Sequence, residues 1–393
     1  MEIGPIKKRI VDNEVILEAT ISHDQNKSNL WYSFDKSVVD FITIEKHDGF
    51  LVGSLLLAMK IGSDIYIEGK LSPKLYYNLT NYFIPITLSL IPSLNNVKIF
   101  HKGFINSRQY KSGAGVMTGF SAGIDSFCTV YDHLHRDIQD EYRITHFLFN
   151  NVGSHGDGEK GKELFNSRFN LIKGFCDEEA VPILKVNSNL SQILDLDFQL
   201  THVTRNVSVA LLLQGLISKF YYASTFKYED CNIRETYDFA YADPFSLHLL
   251  STETLECIST GCQYSRVDKT KKVACLKSSY KWLNVCVDPL KDGTNCSACW
   301  KCSRTLFTLE LIEEINNYES VFNLSNWHKF KKWYFRTTIL NYRINDPFTK
   351  EIRDLAYEMK YRFRVIDRLY GLILSLVPMK INRIINFFVR RGI

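Results

Sequence analysis

The chain has 393 residues, of which 45% are hydrophobic and 23% are charged, which is typical of a folded globular protein. This composition excludes a disordered or collagen-like chain, and the length allows two or three domains. The net charge of +5 is a mild excess that identifies no partner. The first residues lack the apolar core of a signal peptide, and no apolar run of about 18 residues follows. We therefore expect a cytoplasmic protein without a transmembrane segment.

Residues 1–110 mix short strand-like and helix-like segments and predict a small α/β accessory domain. No motif in this region indicates a function. The strand patterns cover residues 10–20, 64–68 and 96–101, and the helical patterns cover residues 49–60 and 74–90.

Residues 111–315 alternate apolar strands with longer helices, which predicts a doubly wound α/β domain around a parallel sheet. Ligands in such sheets bind beyond the carboxyl ends of the strands. The predicted strands cover residues 115–120, 145–150, 182–186 and 219–225, and the predicted helices cover residues 126–135, 161–176 and 206–217.

A candidate phosphate loop follows the first of these strands. Ser121, Ala122 and Gly123 are small enough for a ligand to approach the backbone, and Asp125 and Ser126 fall in the first turn of the next helix. The unpaired N–H groups of such a turn suit a phosphate, and Asp125 could hold Mg²⁺ against it. The alternative is an ordinary strand–turn–helix with a serine N-cap. The loop has no lysine of the Walker A kind.

Four of the ten cysteines lie close together, at Cys286, Cys296, Cys299 and Cys302. Four thiolates are enough for a closed tetrahedral zinc site, which would be structural because no coordination position stays open. An iron–sulfur cluster and redox-active thiols are the alternatives.

Residues 316–393 predict a basic helical region. From Lys329 onward the chain carries fifteen basic and five acidic residues, with aromatic residues between them. A helical bundle with a basic surface, binding to nucleic acid, and contact of the last residues with an anionic membrane surface are all consistent with this pattern.

The loop at residues 121–126 resembles the Ser-Gly-Gly-x-Asp-Ser loop of PP-loop ATP pyrophosphatases, with Ala122 in place of the second glycine. The cysteine pattern, with Arg304 after it, resembles more specifically the 7-cyano-7-deazaguanine synthase (QueC) family. Three further stretches agree in order. They are Phe149-Asn150 before His155, with Asn150 replacing an aspartate, Arg205-Asn206 at the expected start of a helix, and Val267-Asp268-Lys269 expected ahead of a helix.

The resemblance implies an AMP-forming ligase that uses ATP, Mg²⁺ and Zn²⁺. In this family a 7-deazaguanine carboxylate attacks the α-phosphate of ATP, and the acyl-adenylate then reacts with ammonia or an amine to give an amide. In the full synthase a second ATP converts the amide to the nitrile used in queuosine biosynthesis.

The resemblance and the residue chemistry together assign roles to individual side chains. Asp125, Lys269 and Arg205 are the expected catalytic residues. The expected nucleotide-binding residues are Ser121, Ala122, Gly123, Asp125, Ser126, Phe149, Asn150, Arg205 and Asn206. The expected substrate-binding residues are His155, Asp243, Arg266 and Lys269, and the expected metal ligands are Cys286, Cys296, Cys299 and Cys302.

Structural interpretations of the same residues stay open. Arg205 and Lys269 could be surface charges, and His155 could be a polar residue without a catalytic role. Asp243, which precedes Pro244, is typical of a turn. Arg304 could brace the cysteine loop by bonding its carbonyl groups.

Two other functions also remain open. QueC-like proteins with extra regions resemble enzymes of antiviral defence operons, so the acceptor could be an amine of a partner protein. The chain could instead bind nucleotides or nucleic acid without catalysis. The sequence permits a homodimer.

Overall fold

The computed structural model describes residues 1–106, 113–156, 158–288 and 293–377. The chain divides into two compact units. The sheet unit contains Met1–Ser121 and Asp132–Gln263, and the helical unit contains Ala122–Tyr131 and the chain from Tyr264 onward. The predicted domain boundaries near residues 110 and 315 remain a prediction.

One sheet of eleven strands lies in the sheet unit, counted over the described part of the chain. The spatial order is β11-β10-β7-β8-β9-β4-β3-β1-β5-β6, with β2 paired to β3. Most pairings are parallel, which confirms the predicted α/β class. The strands are β1 (Glu2–Ile3), β2 (Lys7–Val11), β3 (Glu14–His23), β4 (Asn26–Asp35), β5 (Ile65–Ile67), β6 (Ile99–His101), β7 (Gly115–Gly119), β8 (His146–Asn151), β9 (Ile183–Ser188), β10 (Ile217–Ala223) and β11 (Glu256–Thr260).

The neighbours β11, β10, β7, β8 and β9 are all parallel. Strand β7 lies between β10 and β8, where Met117 is opposite Phe220 on one side and His146 on the other. Val116 and Met117 are both buried, as expected for a strand in a parallel sheet. The carboxyl ends of these strands share one edge of the sheet.

The first strands of the chain extend this sheet through an antiparallel pairing of β4 with β9, where Phe34 is opposite Val186. The strand predicted at residues 10–20 is wrong in its bounds, because the chain reverses after β2 and returns as β3. Asp12 lies in that reversal with φ of +52°, a left-handed conformation that aspartate tolerates better than most residues.

The helices carry the connections of the sheet and most of the helical unit. They are α1 (Asp48–Ile61), α2 (Pro73–Asn78), α3 (Ile84–Leu90), α4 (Ile124–Val130), α5 (Gly158–Glu178), α6 (Leu190–Leu194), α7 (Phe198–Leu212), α8 (Asp243–Ser246), α9 (Arg266–Ala274), α10 (Ser279–Trp282), α11 (Trp300–Leu311), α12 (Leu324–Tyr334), α13 (Pro347–Glu358) and α14 (Val365–Leu376). A short π-helix at Tyr131–His135 follows α4.

Helix α7 corrects two expectations. The helix predicted at residues 206–217 begins earlier, at Phe198, where the Asp197 side chain caps the Gln199 N–H, and it ends at Leu212. Arg205 and Asn206 therefore lie inside a helix rather than at its start. The stretch Val267–Lys269 likewise lies within α9, whose N-cap is Ser265, and not ahead of a helix.

Helices α1 and α7 pack closely inside the sheet unit because α1 carries glycine where they meet. A Cβ on Gly49 would lie 2.6 Å from the Leu212 side chain, and one on Gly53 would lie 2.5 Å from the Tyr32 hydroxyl. That hydroxyl also lies 3.0 Å from Ser208 Oγ on α7. A larger residue at either glycine would push the helix outward.

The helical unit buries aromatic residues from the region predicted to be basic and helical. Trp327 is fully buried, and its Nε1 donates to Glu310 Oε2 at 2.9 Å. Lys331 binds the same carboxylate at 3.0 Å, and Arg336 binds Asp367 at 2.7 Å. These contacts show that part of the predicted basic surface is used in helix packing.

The predicted membrane-surface stretch extends beyond the described residues, with Lys380, Arg383 and Phe387 outside them. Among the described helices, none has both the length and the apolar character needed to cross a membrane.

Candidate active site and metal centre

The candidate phosphate loop leaves β7 and enters α4. Ala122 is buried and has φ of +57°, so this position requires the left-handed conformation that glycine adopts at lowest cost. Its carbonyl accepts a hydrogen bond of 2.8 Å from the N–H of Asn284, which precedes the cysteine cluster by two residues. Ser126 Oγ donates to the Gly123 carbonyl at 3.0 Å, so this hydroxyl braces the turn. Ser121 is exposed and belongs to the sheet unit.

Asp125 is bound by two cations of helix α9. Its Oδ2 lies 2.8 Å from Arg266 Nη1, and its Oδ1 lies 3.2 Å from Lys269 Nζ. Both cations are nearly buried, whereas 27% of the Asp125 side chain is exposed. Burial acts to raise the pKa of Asp125, but the charges and hydrogen bonds of Arg266 and Lys269 outweigh it and hold that pKa below its ordinary value. The structure thus brings together three residues that the sequence predicted for one site.

Two further cations lie on α11. Arg304 is only 9% exposed, and its guanidinium lies 4.2 Å from the ring centre of Phe348 and 5.0 Å from that of Trp300. Burial, followed by the charges of Arg304 and Arg266, lowers the pKa of Lys301 to about 8. Burial and the charge of Arg266 lower the pKa of Arg304 to about 10. The alternative role of Arg304 as a brace of carbonyl groups has no hydrogen bond to support it among the described residues, where the side chain stacks on rings.

The four clustered cysteines form a candidate metal centre. Their Sγ atoms all lie within 4.8 Å of one another, and Cys286 Sγ is 3.8 Å from Cys299 Sγ. Four sulfurs about 2.3 Å from a tetrahedral zinc ion would lie about 3.8 Å apart, so the set is compatible with zinc.

Backbone N–H groups point at the sulfurs, as a thiolate site requires. Cys296 N–H donates to Cys286 Sγ at 3.4 Å, Cys299 N–H to Cys296 Sγ at 3.2 Å, and Cys302 N–H to Cys299 Sγ at 3.5 Å. Hydrogen bonds among the four cysteines lower the pKa of the Cys299 and Cys296 thiols and raise that of the Cys286 and Cys302 thiols. Asn295 supports the loop by donating to the carbonyls of Leu283 and Val321.

The sheet unit holds the other predicted residues. Phe149 and Asn150 lie near the end of β8, and the Phe149 ring stacks on Phe165 at 5.2 Å. Asn150 Nδ2 donates to Asn206 Oδ1 at 3.0 Å, while the buried Asn150 Oδ1 has no hydrogen-bond partner among the described residues. His155 packs against Phe149 and Phe165, and its burial lowers the pKa to about 3. His155 is therefore neutral at pH 7.

Arg205 is almost fully buried inside α7. Its Nε donates to Thr201 Oγ1 at 2.6 Å, Nη1 to the Val152 carbonyl at 2.8 Å, and Nη2 to the Leu196 carbonyl at 2.9 Å. These bonds join α7 to the segment after β8. Asp243 is also fully buried, and it begins the short helix α8 just before Pro244.

The predicted residues are thus distributed over both units. The helical unit brings together Ala122, Gly123, Asp125, Ser126, Arg266, Lys269 and the four cysteines. The sheet unit contains Ser121, Phe149, Asn150, His155, Arg205, Asn206 and Asp243, of which Phe149 contacts His155 and Asn150 contacts Asn206.

Sequence reasoning did not single out Lys301, and it did not place the Arg304 side chain between aromatic rings. A usable signal was the spacing of Trp300 and Arg304, because residues four apart on a helix lie on the same face. The partner ring of Phe348 could not be inferred this way.

No protein-family model, no curated protein and no solved structure matches the chain significantly. The likeness to PP-loop ATP pyrophosphatases and to 7-cyano-7-deazaguanine synthases therefore depends on the motifs alone.

Proposed function

We propose that this chain is an ATP-dependent, AMP-forming ligase of the PP-loop type, and that its four cysteines hold a structural zinc ion. The observation that carries the proposal is the arrangement around Asp125. A carboxylate directly after a loop of small residues is bound by two nearly buried cations, Arg266 and Lys269. Such a combination suits the triphosphate of ATP, which needs both a metal ligand and positive charge.

In the proposed reaction an oxygen of a carboxylate substrate attacks the α-phosphorus of ATP. The bond from this phosphorus to the bridging oxygen breaks, and pyrophosphate leaves with the electron pair. An amine then attacks the acyl carbon, loses a proton to solvent and displaces AMP, leaving an amide. The substrate class proposed is a 7-deazaguanine carboxylate.

The residues of the chain have distinct tasks in this scheme. Asp125 is the residue that would hold Mg²⁺, and the ion would supply further positive charge against the nucleotide. Lys269 and Arg266 bind the charge that develops on the leaving pyrophosphate.

The proposed zinc site acts on structure rather than on chemistry. The zinc ion would fix the segment whose Asn284 N–H donates to the Ala122 carbonyl. The last of its ligands, Cys302, lies within one helical turn of Arg304 on α11. Four sulfur ligands leave no position for a substrate.

The test is incubation of the full chain with ATP, Mg²⁺ and 7-carboxy-7-deazaguanine, with and without ammonium, followed by chromatography of the nucleotides. We expect AMP and pyrophosphate in equal amounts. Lys269→Gln should abolish most of this release, whereas Lys271→Gln, an exposed lysine of the same helix, should not. Absence of AMP with every carboxylate tried would refute the proposed catalysis.

The same assay separates the alternatives. AMP release that requires a partner protein, with a deazaguanine adduct on that protein, would identify a conjugating enzyme. Binding of ATP without AMP release would identify a non-catalytic nucleotide-binding protein.

A further inference from the structure

Arg304 is a buried cation without a carboxylate partner. Among the described residues, no acidic side chain lies within ion-pair distance of its guanidinium and no acceptor bonds it; its neighbours are the rings of Phe348 and Trp300. Burial of an unpaired cation is costly, because the lost hydration is not replaced. A guanidinium stacked on rings also keeps its N–H edge available for an oxyanion.

The neighbourhood of Arg304 is strongly positive. The Arg266 guanidinium lies 5.3 Å from the centre of the same Phe348 ring, and Lys301 Nζ lies 5.5 Å from the centre of the Trp300 ring. Lys301, like Arg304, has no acidic side chain within ion-pair distance in the described part of the chain.

The nearby acids do not cancel this charge. Asp346 accepts hydrogen bonds from the N–H and the hydroxyl of Thr349. Glu351 accepts from the backbone N–H groups of Arg266 and Val267 at 2.7 and 3.4 Å. With Asp125, Glu351 and Asp346 all counted, the four cations Arg266, Lys269, Lys301 and Arg304 still outnumber the acids by one.

We infer that Arg304 and Lys301 form an anion subsite that binds an oligophosphate. An oligophosphate has several anionic oxygens, so one such ligand can bind both the Arg304 guanidinium and the Lys301 ammonium group. The subsite adds detail to the proposed function, and it rests on that function only for the identity of the anion bound during the reaction. If ATP is the substrate, the subsite takes the pyrophosphate that becomes the leaving group.

The experiment is isothermal titration of the full chain with inorganic pyrophosphate, with and without Mg²⁺. We expect Arg304→Gln to weaken binding by about tenfold or more, the loss of one charge-assisted hydrogen bond. Lys301→Gln should weaken it severalfold. Lys281→Gln is the matched control, because Lys281 also lies over its neighbouring ring, Trp282, at 4.6 Å but is exposed. It should bind as the unchanged chain does.

Arg304 lies two residues after Cys302, so each variant must keep its metal content and its unfolding temperature. Arg304→Lys is the second variant if Arg304→Gln does not fold; it keeps the charge and should retain intermediate affinity. Pyrophosphate binding that is equal in the unchanged chain and the folded Arg304 and Lys301 variants would overturn the inference, as would absence of binding to the unchanged chain.

The pyrophosphate titration and the AMP assay together distinguish the anion subsite from the proposed ligase activity. Pyrophosphate binding that depends on Arg304, without AMP formation from ATP, supports the subsite and removes the ligase. AMP formation that is unaffected by Arg304→Gln supports the ligase and removes the subsite.

Discussion

Asp125 and Arg266 form an ion pair of 2.8 Å between Oδ2 and Nη1, although 141 residues of sequence separate them. The pair joins the first turn of α4 to the first turn of α9. Because Arg266 binds Oδ2, the other carboxylate oxygen of Asp125, Oδ1, is left for Lys269 Nζ, which lies 3.2 Å away. The carboxylate therefore orients two cations even before any ligand is bound.

Asp125→Asn should destabilise the helical unit at pH 7 by about 1–3 kcal/mol, because it leaves two buried cations less well paired. The pKa of Asp125 is lowered in the folded state, so its stabilisation is present above the unfolded value of about 3.9 and is lost as pH falls through the folded pKa. Thermal unfolding of both proteins from pH 7 to pH 3 measures this. The difference should shrink below about pH 4.

The control for this measurement is Asp354→Asn, an exposed position of α13, which should change little at any pH. A variant Asp125→Asn that is as stable as the unchanged chain at pH 7 would contradict the importance of the pair.

Ala122→Gly should stabilise the protein by about 1 kcal/mol, because φ of +57° is strained for alanine. Ala180→Gly is the matched control, since Ala180 has φ of +53° but is exposed and outside the candidate site. Chemical denaturation should show a similar gain for both. No gain at Ala122 would mean that the surrounding loop compensates for the strain.

The parallel part of the fold was predictable because its strands are continuous apolar runs. Strand β7 and the turn into α4 follow from an apolar run and a cluster of small residues. Strand β4 was not predicted, since its first half, Asn26 to Asn29, is polar, and its pairing with β9 joins residues about 150 positions apart. Such pairing leaves no local pattern in a sequence.

The candidate site was predictable as residue types but not as contacts. Asp125 and Lys269 were named from motif order and Arg266 as a nearby cation, and the ion pairs among them come from tertiary packing. Arg205 carried the same signal as the other cations, yet the structure shows it donating hydrogen bonds to Thr201 and to two carbonyl groups. A sequence does not distinguish a buried structural arginine from one that meets a ligand.

His155 should make the stability of the sheet unit sensitive to acid. Its folded pKa of about 3 lies below the unfolded value of about 6.5, so the unfolded chain binds the proton first. Stability should therefore fall as pH decreases from about 6.5 to 3, by up to about 4–5 kcal/mol. Denaturant titrations of the unchanged chain and His155→Gln test this. The variant should lack this component, and an equal pH dependence in both proteins would contradict it.

Metal removal should unfold the cysteine segment. We expect about one zinc ion per chain by elemental analysis, and Cys286→Ser should lose it together with several kcal/mol of stability. Cys275→Ser, an exposed cysteine of the same unit, should keep both. Iron with visible absorption in place of zinc would identify the iron–sulfur alternative, and a full metal content in Cys286→Ser would exclude Cys286 as a ligand.

Arg205→Lys should act on stability first and on activity only through it. Lysine cannot reproduce the three directed bonds to Thr201 Oγ1 and to the carbonyls of Val152 and Leu196, so at least one buried carbonyl loses its donor. We expect a loss of about 3 kcal/mol in denaturant unfolding, against no change for Arg234→Lys at an exposed position. AMP formation per folded molecule should then be nearly unchanged. A large loss of turnover in a variant of normal stability would instead place Arg205 in catalysis, because the structural role alone predicts the opposite pattern.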